Sequence, residues 1–182
     1  MDTLQLDTEQ TTRQVPYLED VTETIRDDAV EEARSKLSPF QSALSLEQLL
    51  EDDGFVDYFK YGLVSGVAKA LAANDKHVQA IYALDPSANP DSETGASLPV
   101  EMTMHLIVKV SRSSAALEAF IDSLDKAMVR SLQSLPSPRF QMRTSILDVT
   151  VVTVEDVRRR VGYAALLSSM FAPALKIWER TG

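Results

Sequence analysis

The feature that most constrains this chain is a change of apolar period near residue 76. Before it, Phe55, Phe59, Leu63, Val67 and Leu71 recur every four residues, the spacing of one helix face. After it, from Pro99 to Val110, the pattern alternates. Val100, Met102, Met104, Leu106, Val108 and Val110 share one face, and Glu101, Thr103, His105 and Lys109 share the other. A chain with both periods must bury a helical stripe and a sheet face in one core, so the fold class is α+β.

Either side of that switch the same logic assigns the other elements. Residues 1–15 are polar and aperiodic and read as a mobile acidic tail. Leu18, Val21, Ile25, Ala29, Ala33 and Leu37 then form one stripe of a helix over 17–37, stopped by Pro39. Ser45 with Gln48 reads as a capping box opening a short helix that ends near Gly54. Gly62 and Gly66, one turn apart, suit the close approach of another element. Residues 76–85 read as a strand, followed by a turn-rich loop. Ser113 or Ser114 caps a helix whose stripe runs from Leu117 to Leu135. A third strand, Thr144 to Val154, is apolar on both faces and reads as interior to the sheet. Glu155 to Arg160 is a polar helical turn. Tyr163 to Phe171 reads as a last apolar helix, broken by Pro173 before Leu175 to Trp178.

These elements predict a small mixed sheet of about three to five strands. The 55–73 and 113–135 helices would cover one face, with residues 16–53 as a helical appendage beside the 54–182 core. The 182 residues suit one domain over 16–182. A chain of this length buries about 70% of its unfolded surface and needs no staple. That matches the absence of cysteine, which excludes disulfides, thiolate metal sites and a cysteine nucleophile.

Charge is distributed unevenly. Net charge is −9, yet residues 1–53 hold fourteen acids and four bases (14 − 4 gives −10), leaving +1 for the remainder. An acidic chain is a poor match for nucleic acid, whose phosphates need a basic surface. The acidic arm is instead suited to a basic face within the chain or on a neighbouring copy. The acidic N-terminus lacks the basic start and apolar run of a secretory signal. The longest apolar stretch, Val161 to Trp178, is too short and interrupted to span a membrane. The expectation is a soluble, cytoplasmic protein.

Candidate chemistry is sparse. His77 and His105 are the only histidines. Glu101 and His105 share the polar face of the second strand, but residues four apart on a strand are separated by about 13 Å, too far for a direct bond. Arg158, Arg159 and Arg160, with Arg139 and Arg143 upstream, offer phosphate contacts or an ordinary charged surface. No metal-ligand spacing, phosphate-binding glycine loop or nucleophile elbow is present, so no metal and no cofactor is expected.

Over roughly residues 76–160, the segments AIYALDPSANPDS, MTMHLIVKV and ILDVTVVTVEDVRR follow one another in a familiar order. That order resembles the minimal nucleotidyltransferase domain of the DNA polymerase β type. There a strand leads into a Gly-Ser turn, a second strand carries two alternate aspartates, and a third strand bears another. Asp148 stands at the third-aspartate position. The Gly-Ser turn is replaced by Asp85-Pro86, with Ser87 one place late, and the paired aspartates by Thr103 and His105. One aspartate of three cannot hold the two metal ions that phosphoryl transfer in this family needs. The resemblance therefore implies either a generic β-β-α-β pattern or a degenerate relative without that catalysis.

Two functions remain. One is a non-catalytic interaction or regulatory module, a homo-oligomer or the partner of another protein, using its acidic helix and apolar C-terminal segment. The other is an enzyme or degenerate nucleotide binder on the open sheet face. Its catalytic candidates would be Glu101, His105 and Asp148, with Thr103, Arg158 and Arg159 contacting ligand.

Overall fold

In the computed structural model, described over residues 5–84, 102–137, 139–140, 144–169 and 174–181, the helices stack in two tiers on a four-stranded mixed sheet. The elements in chain order are α1 (Gln5–Ser35), α2 (Pro39–Ser42), α3 (Leu46–Leu49) and α4 (Asp53–Asn74). Then come β1 (Val78–Ala83), β2 (Met104–Val110), α5 (Ala115–Gln133), β3 (Leu147–Thr153) and α6 (Val154–Arg159). A 3₁₀ segment (Gly162–Ser168) and β4 (Leu175–Glu179) close the chain. Strand order is β3-β2-β1-β4. β1 pairs antiparallel with both β2 and β4, while β2 and β3 run parallel. Only the parallel pair needs a long crossover, and α5 supplies it.

α4 and α5 lie against the sheet face that carries Met104, Leu106, Val108 and Val110, all buried. α1 packs across α4 and α5. Its stripe is part of the same core, with Leu18, Ile25, Ala29 and Ala33 buried. The expected appendage is thus the outer tier of the core itself. Gly62 and Gly66 permit that packing, since a β-carbon on Gly62 would lie 2.9 Å from Ala29 Cα and one on Gly66 2.7 Å from Ile25 Cγ2. Polar ties reinforce it: Arg26 donates to Ser131 O (3.3 Å) and Ser134 Oγ (2.8 Å), and Ser131 donates to Thr22 O at 3.3 Å.

The helix starts follow from local chemistry. Ser38, Ser45 and Thr153 each close a capping box, and Asp52 and Ser114 each accept an amide of the following first turn. Each such cap stabilises its helix by about 1 kcal/mol.

Three expectations are corrected. α1 is helical from Gln5, well before Tyr17 and within the stretch read as a tail; residues 5–15 contain neither proline nor glycine, and helix propensity does not need an apolar stripe. β3 lies at a sheet edge, not in the interior. Its apolar residues on both sides are explained by cover above and below the sheet, because α5 packs on one face and the 3₁₀ segment and α6 on the other. The segment read as a last apolar helix is a 3₁₀ helix over Gly162–Ser168, and Leu175–Glu179, to which the sequence assigns no element, form a fourth strand paired with β1. That pairing partner lies about a hundred residues away in sequence, beyond the reach of local periodicity. Phe171 and Pro173 lie outside the described residues.

Candidate functional site

On the sheet face turned away from α4 and α5, β2 carries His105, Ile107 and Lys109. The parallel register sets His105 beside Asp148, Ile107 beside Thr150 and Lys109 beside Val152. Residues side by side in a parallel pair project to the same face. The result is direct contact, with His105 Nδ1 2.8 Å from Asp148 Oδ2. When Nδ1 carries the proton, the carboxylate accepts it, and Nε2 keeps its lone pair directed elsewhere.

Such a pair is two thirds of a nucleophile–base–orienter constellation. Its surroundings are wet, however: the side chains are 36% and 64% exposed. A pair this open gains only about 0–1 kcal/mol and acts in water, not in a desolvated pocket. Among the described residues no group of three or more acidic or histidine side chains could hold a metal ion.

This face is less open than its polar residues suggest. Ile107 is fully buried beneath the 3₁₀ segment, in a small second core with Val152 and Ala164, flanked by Tyr82, Val157 and Leu166. Its cover comes from residues more than fifty positions away, which explains why alternation within β2 could not reveal it.

The other sequence candidates are dispersed. Glu101 lies outside the described residues, and Thr103 is half-buried just ahead of β2. Arg158 and Arg159 sit on α6, which starts at the far end of β3, about 17 Å of strand beyond Asp148. Both close on Glu155, at 2.8 and 2.6 Å, and neither bonds to the His105–Asp148 pair. Sequence reasoning also missed Lys176 and Glu179, because it missed β4. Their ion pair spans 2.8 Å. The hydrogen bond from Lys176 holds the Glu179 carboxyl below its ordinary range, and that bond to Glu179 raises the Lys176 ammonium.

A second feature belongs to the backbone of β3. The Met104 N–H donates to Ile146 O at 2.7 Å, which sets the phase of the ladder. In a strand, the N–H and C=O of one residue point to the same side and alternate along the chain. Asp148, Thr150 and Val152 therefore bond towards β2, and Leu147, Val149, Val151 and Thr153 point outwards. The two outer members are stoppered by carboxylates: Asp125 Oδ1 accepts the Leu147 amide at 2.8 Å, and Asp156 Oδ2 accepts that of Thr153 at 2.8 Å. Between them Val149 and Val151 present their amides and carbonyls on an edge that no described strand covers.

No protein family, no curated protein and no solved structure matches the chain, so the functional reading stands on this geometry. No helix among the described residues is long and apolar enough to cross a membrane.

Proposed function

We propose that this protein is a non-catalytic interaction module that self-associates through the outer edge of β3. The observation that carries the reading is the window at Val149 and Val151, which no described strand pairs, between two carboxylate-stoppered ends. Exposed strand edges are templates for pairing, and proteins that must avoid it blunt them along their length. Here the blunting is confined to the ends. A second copy related by a two-fold axis near Thr150 would set Val149 against Val151 in both directions, forming about four backbone hydrogen bonds. The stoppers keep that pairing short and in one register, which favours a closed dimer over an open array.

Sedimentation velocity on the purified chain tests this. The Val149 N–H points away from β2, so Val149→Pro removes an outward donor without deleting a ladder bond. The expected result is a wild-type dimer and a monomeric variant with the same far-UV circular dichroism. A wild-type chain that stays monomeric at high concentration overturns the reading.

The 2.8 Å approach of His105 to Asp148 favours a second reading, a degenerate nucleotidyltransferase-like nucleotide binder or enzyme on that face. A thermal-shift screen against nucleotides, with and without magnesium or manganese, decides it. A ligand at a hundred times its Kd stabilises the native state by about 2.7 kcal/mol. This reading requires a shift that Asp148→Asn abolishes, and a flat screen removes it.

A further inference from the structure

Along the outside of the molecule, α1 and α4 enclose an open trough of about 550 Å³. Its lining comes from α1 and α4 alone, with no residue of β3, so it is independent of the self-association reading. Its floor is apolar and low, because Val21, Ile25, Ala29 and Ala70 alternate with Gly62 and Gly66, where the helices approach most closely. From Tyr17 to Glu32 the trough follows α1 for fifteen residues, about 22 Å or four helical turns. That length and the shallow apolar floor match one face of an α-helix laid along it, with anchors at intervals of three and four.

The rim selects the occupant. On the α1 side stand Asp20, Asp28 and Glu32, and on the α4 side Lys69. Among the described residues none of the three carboxylates has a cation partner, although α1's Glu19 and Asp27 are paired with Arg130 and Arg26. Three acids without a cation partner among the described residues thus border the trough, while Glu23 and Glu31, likewise without one, stand outside it. A second copy's α1 is excluded by like charge, since from Tyr17 to Ser35 it carries seven acids and two arginines. A second copy's α6 has arginines, but it spans six residues and already turns two of them onto Glu155.

We infer that the α1–α4 trough is a docking site for a basic amphipathic helix of a different protein. Its apolar face would cover Val21, Ile25 and Ala70, with lysines or arginines along the flank facing Asp20, Asp28 and Glu32. Partner choice comes from this flank, because the rim charges repel acidic helices and steer basic ones.

The test uses the full chain and a fluorescein-labelled synthetic sixteen-residue peptide of leucine and lysine, patterned as an amphipathic helix, read by anisotropy. The control is a scrambled peptide of the same composition. Two variants separate the trough from general acidity: Ala70→Trp fills the floor, and Asp28→Lys with Glu32→Lys reverses the rim. The expected result is binding of the patterned peptide about tenfold tighter than the scrambled one, and a loss of about tenfold with either variant. Equal binding of the two peptides means adsorption by net charge and overturns the proposal, as does wild-type affinity in Ala70→Trp. No binding of the patterned peptide overturns it too. The variants' melting temperatures separate lost binding from lost folding, and Val21→Trp serves as the floor variant should Ala70→Trp unfold.

Discussion

Gly62 faces Ala29 so closely that a β-carbon on it would lie 2.9 Å from both the α- and β-carbons of Ala29. Backbone cannot step aside, so Gly62→Ala must push α1 away from α4. Replacing glycine in a helix gains about 1 kcal/mol from propensity, but overpacking costs about 1–3 kcal/mol, and here the second effect wins. At Gly66 the nearest atom, at 2.7 Å, is Cγ2 of Ile25, a buried β-branched side chain held near one χ1 rotamer in its helix. Urea titration should therefore show both Gly62→Ala and Gly66→Ala destabilised, by about 1–3 kcal/mol of overpacking less the propensity gain, with Gly62→Ala the worse because its clash is with backbone.

Asp125, buried on α5, accepts the amides of Ile146 and Leu147 through one oxygen, each at 2.8 Å. This contact fixes where β3 begins. Asp125→Ala leaves two donors without a partner in a buried setting and should cost about 2–4 kcal/mol. Asp125→Asn keeps an acceptor oxygen and should cost less than half as much. Thermal melts that rank the two variants in reverse order would show that the carboxylate acts otherwise.

Helices were largely legible in the sequence, because the stripes from Phe55 to Leu71 and from Leu117 to Leu135 are local patterns with local caps. The core face of β2 was legible for the same reason. What local pattern could not convey was position within the sheet. Residues 147–153 have the apolar character of a central strand, yet their cover is α5 on one side and a segment beyond residue 160 on the other. β4 is short and gains its identity only from pairing with β1.

The site shows the same division. His105 and Asp148 could each be singled out as chemically capable residues, but forty-three positions separate them and only the β2–β3 register brings them together. The carboxylate stoppers were invisible, since Asp125 reads as one polar residue on a helix and Asp156 as one acid in the polar turn from Glu155 to Arg160. Their role depends on which β3 amides point outwards, a property of pairing phase rather than of residue type.

Arg180 ties the C-terminal strand to the rest of the fold. Its guanidinium donates to Val78 O and Ala72 O, each at 3.0 Å, and lies 5.2 Å from the centre of the Trp178 ring. The Ala72 carbonyl belongs to the last turn of α4, where a cation also meets the negative end of the helix dipole. Arg180→Lys keeps the charge but cannot reproduce the fork, and should cost about 1–2 kcal/mol. The chain has one tryptophan, so its emission reports directly on β4. A red shift at denaturant concentrations below the main transition is expected in Arg180→Lys and absent in wild type.

Acid should open the stoppered end of β3. Asp156 accepts from the Thr153 side chain at 2.7 Å and from its amide at 2.8 Å, and these bonds hold its carboxyl below the ordinary value of 3.8. The folded pKa is the depressed one, so the capping contribution is complete above the unfolded value near 3.8. It is lost as pH falls through the lower folded value. Protonation then frees the Thr153 N–H and lengthens the unpaired edge by one outward residue. In amide NMR spectra Thr153 should titrate with a midpoint below 3.8, and Asp156→Asn should flatten that curve. If β3 is the self-association edge, Asp156→Ala should also dimerise more tightly at neutral pH than wild type, because the end that limits strand pairing is gone. An unchanged or weaker dimer in a folded Asp156→Ala chain would place the contact on another surface.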